Sequence, residues 1–269
     1  MTRTPKTSNL SVGDAELYYE SHGDGPPLLL VPGLGGIGAF WAPQVFEFAR
    51  DFRVITHDHR GCGQSSRSRI AYSVDQMAED VLRLMDGLKI DAAHFVGHST
   101  GGAIGQTIAQ ERPERIKRLV LSATWAGQDD FFRRVFEMRK ELLRMGGFRS
   151  YWRASALMLR PSAWISANEA ALLEEEAKTL ADPPDTGILQ SRIDAIIRFD
   201  RRARLGEIKA PTLVIVAEDD MITPLYMSEE LAAKIPKASL AALHYGGHFL
   251  PLIDPAGYNK VVGAFLRAS

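Results

Sequence analysis

A serine set between glycines, Gly97-His98-Ser99-Thr100-Gly101, is where residue types and spacing in this chain first suggest chemistry. The short apolar run Ala93 to Val96 precedes it, and the helix-compatible stretch Ala103 to Ala109 follows at once. A strand, a tight turn and a helix in that order force a G-x-S-x-G serine onto a strained elbow, its hydroxyl projecting above the sheet. The flanking positions must be nearly free of side chain, which Gly97 and Gly101 satisfy, and Gly102 lets the helix start close to the strands. The helix's first turn offers unpaired N–H groups to negative charge developing there. Taken alone, the pattern is equally compatible with a simple packing turn. Its partners have to decide.

A serine hydroxyl is a poor nucleophile until a base takes its proton, and the base works best when an acid orients it. Both should follow in the order acid, histidine, in loops at the C-terminal ends of later strands. Thr212 to Ala217 reads as a strand and is followed by Glu218-Asp219-Asp220-Met221-Ile222-Thr223-Pro224. Ser239 to His244 reads as another and is followed by Tyr245-Gly246-Gly247-His248. His248, behind two glycines, is the predicted base. Asp220 is the predicted acid, because Met-Ile-Thr-Pro places it at the turn before a helix. Asp219 is its main rival, Glu218 also competes, and Asp129 and Asp130 are more remote options. Oxyanion donors are predicted at the backbone N–H of Thr100 and in the loop Pro32-Gly33-Leu34-Gly35-Gly36, with Leu34 as the donor there. Each such donor is typically worth about two to three orders of magnitude in rate.

Other chemistry-bearing residues carry weaker signals. His98 adjoins the serine, but its ring should point elsewhere on so tight a turn. His57 and His59 flank Asp58, which invites a metal reading, yet a zinc or iron site needs further ligands at sensible spacing. Trp41 and Trp125 are candidate pocket walls, with core packing as the alternative for such large rings. Arg133, Arg134, Arg139, Lys140, Arg144, Arg149, Arg153 and Arg160 far outnumber Glu137 and Glu141 in one stretch. Most of these read as solvated helix face, although one inward arginine could clamp a substrate carboxylate bidentately. Glu174-Glu175-Glu176 reads as solvated surface.

The elements that must position these groups alternate at first. Ala15 to Ser21 reads as an edge strand and Pro27 to Pro32 as a strand buried on both faces. A helix around Phe40 to Arg50, a strand over Phe52 to Thr56 and a helix over Ser73 to Gly87 follow. The elbow strand and helix come next, then a strand over Arg118 to Ala123. This alternation predicts an α/β fold with a mostly parallel, doubly wound sheet. From about Trp125 to Arg204 the strands stop, and helices are expected over Asp130 to Met145, Phe148 to Met158, Ala163 to Leu180 and Thr186 to Phe199. Helices over Leu225 to Ile235 and Pro255 to Arg267 complete the later part. The division is therefore a core of residues 1–124 and 205–269, interrupted by a helical cap, or lid, of residues 125–204.

Composition bounds the partners. The chain has 269 residues, 45% of them hydrophobic, and a formal net charge of -1 from 32 basic and 33 acidic side chains. No basic field exists to draw nucleic acid. No apolar run reaches the length of a membrane span, and Met1 to Gly13 lacks the apolar stretch of a signal peptide. The single cysteine, Cys62, excludes an internal disulfide and fits a reducing, cytoplasmic setting. Exposed apolar faces of the cap are open either to pairing subunits in a homodimer or to lining a pocket.

Taken together, these residues resemble the α/β-hydrolase fold superfamily over essentially the whole chain. Pro32-Gly33 stands where many members have His-Gly before the oxyanion residue, and Asp58-His59-Arg60-Gly61-Cys62-Gly63-Gln64-Ser65 is similar to the family's D-x-R-G-x-G-x-S turn, which shapes the floor of the site. Within the superfamily, Gly33 to Gly36, Trp41 with Pro43-Gln44, the stretch Arg139 to Trp164 and Tyr245 to His248 resemble the aminoacrylate hydrolase of pyrimidine degradation; enol-lactone hydrolases of aromatic catabolism are next. Not all members near the aminoacrylate group keep the elbow serine, and this chain does. The resemblance implies a serine hydrolase acting on a small ester, lactone or amide without metal or organic cofactor. Carbon–carbon hydrolases and perhydrolases use the same triad and stand as the alternative chemistry. A non-catalytic ligand-binding module on the same fold is the alternative of a different class.

Overall fold

The computed structural model describes residues 6–268. In chain order, β1 (Lys6–Ser11), β2 (Glu16–His22) and β3 (Pro27–Val31) lead into α1 (Ala42–Phe48), β4 (Arg53–His57), α2 (Val74–Gly87), β5 (Ala93–His98), α3 (Thr100–Glu111) and β6 (Ile116–Ser122). Four helices then follow without a strand among the described residues: α4 (Asp130–Leu159), α5 (Ser162–Ala167), α6 (Glu169–Ala181) and α7 (Thr186–Arg198). The chain continues with β7 (Thr212–Ala217), α8 (Leu225–Lys234), β8 (Ala238–Leu243), α9 (Leu250–Ile253) and α10 (Pro255–Arg267). No described helix is long and apolar enough to cross a membrane.

Among the described residues the strands form one eight-stranded sheet in the order β1-β2-β4-β3-β5-β6-β7-β8. The β1–β2 and β2–β4 pairs are antiparallel, and every pair from β4 to β8 is parallel. From β3 the chain first turns to one side, to β4, and then crosses to the other side, to β5. The C-terminal ends of β3 and β5 therefore flank a topological switch point, the place where open α/β sheets bind ligands.

Side-chain alternation builds a core on each face of this sheet. Leu29, Val31, Phe95, Leu119, Leu121 and Val214 pack with α2 and α3, whereas Leu28, Leu30, Val96, Val120, Leu213 and Ile215 pack with α1 and α10. Each central strand is thus buried on both sides, which is why it reads as a continuous apolar run. Ser73 caps α2, its side chain accepting from the Gln76 N–H at 3.0 Å, and Val74, Met77, Ala78, Val81 and Met85 form the buried stripe.

The structure differs from the sequence reading at several element ends. β1, whose sequence is Lys-Thr-Ser-Asn-Leu-Ser and mostly exposed, is the outer strand, so β2 is not the edge. A polar strand that pairs on one side only carries no apolar alternation to find. Asn168 breaks the helix expected over Ala163 to Leu180 into α5 and α6. In α4, Gly147 (φ 69°, ψ −174°) interrupts the helix where the sequence separates two.

The helical run between β6 and β7 packs back onto the molecule. Phe132, Phe136 and Leu143 of α4 and Ile188, Ile193 and Ile196 of α7 belong to the same apolar cluster as α2 and α3. The acidic stretch in α6 is not merely solvated. Glu175 pairs with Arg160 at 2.7 Å, and the buried Glu176 pairs with Arg153 at 2.8 Å, tying α6 to the end of α4.

Candidate active site

Ser99 joins β5 to α3 with φ 54° and ψ −117°, a backbone conformation disfavoured for any residue with a Cβ. Such strain costs about 1–3 kcal/mol and persists only where the surroundings over-determine it. Here they do. The Ser99 N–H donates to Ser122 O at 2.8 Å, and its carbonyl accepts from Thr124 Oγ1 at 2.7 Å and from the Gly102 N–H at 2.9 Å. A Cβ on Gly97 would stand 2.2 Å from Gly101 O, and one on Gly101 would stand 2.1 Å from Val31 O. No side chain fits at either position, so both glycines are demanded by the turn itself.

The loops after β7 and β8 meet beside this elbow. His248 Nδ1 lies 2.8 Å from Asp220 Oδ2, and both residues are buried. Asp220 Oδ2 also accepts from Thr223 Oγ1 at 2.8 Å, and Oδ1 accepts the N–H groups of Ile222 at 2.7 Å and Thr223 at 3.0 Å. A carboxylate held by four donors cannot swing. Because the Asp220 carboxylate can only accept, the imidazole carries its proton on Nδ1, donates it to Oδ2 and keeps the lone pair on Nε2.

The rival acids are engaged elsewhere. Asp219 Oδ1 accepts the N–H groups of Gly246 and Gly247 at 3.0 and 2.8 Å, closing the loop that carries His248 without bonding the ring. Glu218 pairs with His244 at 3.0 Å. Asp129 caps α4 and accepts from Tyr226 Oη, while Asp130 pairs with Arg133.

The loop after β3 folds over the serine. The Gly36 N–H donates to Gly33 O at 3.0 Å, and the Gly33 Cα faces Ser99 so closely that a Cβ there would lie 3.1 Å from the Ser99 Cβ. Arg192 of α7, fully buried, braces this loop. It donates to Leu34 O at 3.2 Å, Arg60 O at 3.1 Å and His59 Nδ1 at 2.8 Å. Thr100 is buried as the first residue of α3, where an N–H has no partner within the helix. Leu34, Ser99 and His248 line one cavity of about 450 Å3. Side chains of α4 and α7 contribute to its wall, together with the loop after β3 and the turn around Gly61 to Gly63.

The Asp58-to-Ser65 turn sets the floor. Asp58 accepts the N–H groups of Gly38 at 2.8 Å and Gln64 at 2.9 Å, and Arg60 pairs with Asp80 through both oxygens at 3.0 and 2.7 Å. His57 and His59 do not join a ligand set, since the Arg192 guanidinium sits on His59 Nδ1 and would repel a cation. Burial pushes His57 down to about 4, with Arg192 adding to the effect, and holds His59 well below the ordinary histidine range. Burial does the same to His98, with His248 second. The His98 ring does not leave the site. It stacks on Phe40 at 4.9 Å and lies 4.9 Å from the His248 ring.

Trp41 and Trp125 correct the sequence reading. Both are completely buried in the two apolar cores: Trp41 packs beside Tyr258 and His98, Trp125 on Phe132. Neither reaches the cavity, whose aromatic wall includes Phe136, Tyr151 and Trp152. Of the α4 arginines, Arg134, Arg144, Arg149 and Arg153 are exposed, whereas Arg139 is buried, as is Arg160 just past the end of the helix. Sequence reasoning did not find Arg192, Tyr151 or Thr223. The spacing Tyr151-x-x-x-Ser155 puts two hydroxyls on one helix face and was the available signal for part of this wall.

Known proteins agree with this architecture. A family profile for the alpha/beta hydrolase fold matches residues 26–255. RutD of Azorhizobium caulinodans, named a carbamate hydrolase, is 42% identical over 253 residues, covering 94% of this chain and 96% of its own. Among solved structures, the enol-lactonase from Burkholderia xenovorans LB400 superposes with a TM-score of 0.90 at 29% identity, covering 97% of this chain and 100% of that one. A hydrolase from Pseudomonas aeruginosa PA01 gives a TM-score of 0.89 at 32% identity, covering 97% and 98%. The chain is therefore a hydrolase and belongs to the alpha/beta hydrolase fold family.

Proposed function

We propose that the protein cleaves a small carboxylic ester, lactone or amide through an acyl-enzyme on Ser99. His248 takes the Ser99 proton as Oγ attacks the substrate carbonyl, and Asp220 holds the imidazole tautomer and stabilises its charged form. The N–H groups of Leu34 and Thr100 stabilise the oxyanion. His248 then gives its proton to the leaving group. A water activated by the same ring releases the acid, restoring Ser99. The helical insertion serves as a cap over the cavity, and the enzyme works in the cytoplasm on a small-molecule substrate. No step requires a metal or organic cofactor.

The observation that carries this reading is the buried Asp220–His248 pair at 2.8 Å, facing the same cavity as a serine held on a strained elbow. The named activities of the relatives, carbamate and enol-lactone hydrolysis, both cleave a carbonyl–heteroatom bond, which is compatible with acyl transfer, and the lactone falls within the proposed substrate class.

The test is intact mass after incubation with a fluorophosphonate, beside Ser99→Ala. A single adduct in the wild type alone is expected, and Ser99→Ala and His248→Ala should each lose catalysis by up to about six orders of magnitude. Near wild-type rates in either variant would overturn the assignment.

A further inference from the structure

Three arginines of the helical insertion are buried and line the Ser99 cavity: Arg139, Arg160 and Arg192. Arg160 has its charge answered, and both Nη groups of Arg192 are engaged in bracing the loop after β3. Arg160 Nη2 lies 2.7 Å from both oxygens of Glu175. Arg192 donates through Nη1 and Nη2 to the carbonyls of Arg60 and Leu34 and to His59, and only its Nε is left without a partner among the described residues.

Arg139 is different. Its Nη2 donates to Tyr151 Oη at 2.8 Å and to Ser155 Oγ at 3.1 Å, and Nε also reaches Ser155 Oγ at 3.3 Å. Its guanidinium lies over the Phe136 and Tyr151 rings at 4.9 and 5.0 Å. Among the described residues no carboxylate lies within ion-pair distance of Arg139, and its Nη1 makes no hydrogen bond to any of them. This cation is 5% exposed and has no counter-charge among the described residues, a costly state for a largely buried group. Its surroundings fix its orientation all the same. Ser155 Oγ sends its own proton to Tyr151 O at 2.7 Å, and the Tyr151 hydroxyl, which accepts from Arg139, keeps a proton to donate. Arg139, Tyr151 and Ser155 all lie on the cavity wall.

We propose that Arg139 and the Tyr151 hydroxyl seat a carboxylate of the substrate. The preferred substrates are then short esters, lactones or amides with a free carboxylate at the end away from the scissile bond. A guanidinium fork suits a carboxylate in both shape and charge, and an anion there supplies the counter-charge the fold withholds. The substrate class rests on the acyl-transfer reading of Ser99, whereas the anion seat can be measured without turnover.

The experiment titrates the Ser99→Ala protein calorimetrically with monomethyl succinate and with its uncharged counterpart, methyl butyrate. Monomethyl succinate should bind the more tightly. Adding Arg139→Met should weaken it about 10- to 150-fold, the range for a hydrogen bond to a charged group, with Arg139→Lys recovering part. In the Ser99 enzyme, Arg139→Met should lower the ratio of kcat/KM for monomethyl succinate over methyl butyrate by a similar factor, most of it in KM. Tyr151→Phe keeps the ring packing and should lower that ratio about 2- to 10-fold, which preserves the test should Arg139→Met not fold. Hydrolysis of both esters with an unchanged ratio overturns the seat and leaves acyl transfer standing. Arg139-dependent binding with turnover of neither ester keeps the seat and overturns acyl transfer. Equal affinity of Ser99→Ala for the two esters also overturns the seat.

Discussion

At Ser99 the backbone holds φ 54° although the residue carries a Cβ, and hydrogen bonds to Ser122 and Thr124 keep it there. The contribution of the hydroxyl and the cost of the backbone conformation can therefore be separated by substitution. Ser99→Ala removes the hydroxyl and retains the strain, whereas Ser99→Gly removes both. Ser99→Gly should be the more stable of the two by about 1 kcal/mol, and should melt about 2–4 °C higher. Calorimetric scans of the two variants check this, and equal melting temperatures would mean that the elbow stores no strain. The same logic explains which residues were legible in the sequence. Ser99, Asp220 and His248 were legible as candidates because a turn chemistry or chain order constrains each. Arg139 did not, because inward and outward arginines of one helix have the same composition, and only Phe136, Tyr151 and Ser155 packed around it mark the difference.

At the level of elements, neighbouring aspartates in one loop have separate duties. Asp220 orients the His248 ring, and Asp219 closes the loop that delivers it by accepting from Gly246 and Gly247. Under the acyl-transfer reading, Asp220→Asn should lower kcat about 10⁴-fold by destabilising the required tautomer. Asp219→Ala should lower it about 10- to 100-fold by loosening the ring's placement. Steady-state kinetics on one ester read both, and equal losses would show that the division of labour is wrong. Element ends proved harder to read than elements. Strands β3, β5, β6 and β7 were legible because each is buried on both faces, and α2 because it pairs a serine cap with an apolar stripe. β1 was not, since its polar residues bury almost nothing, and Asn168 gives no proline or glycine signal where it parts α5 from α6.

For the molecule as a whole, three buried histidines set an acid limit. His57 is held at about 4, and His59 and His98 well below the usual range, each chiefly by burial. Unfolded, each titrates near its ordinary value of about 6.5. Below that pH the unfolded chain takes up protons the folded one refuses, so the stability these groups contribute is present above about 6.5 and drains away as the pH falls, for His57 down to about 4. For His57 alone the loss is of order 3 kcal/mol across that window. Urea midpoints should fall between pH 7.5 and pH 5, and His57→Gln should fall less steeply. A midpoint unchanged over that range would contradict the buried, neutral state of these rings. The helical insertion and the sheet domain also meet at a joint with mechanical meaning. The Phe249 N–H donates to Leu159 O at 3.0 Å, and the Arg160 guanidinium rests on the Phe249 ring at 4.9 Å, one residue from His248. The far end of α4 is thus tied to the loop that carries His248. Under the acyl-transfer reading, any displacement of that end would pull on the loop that positions the proton acceptor, so the joint would act as a clutch between the wall of the cavity and its chemistry.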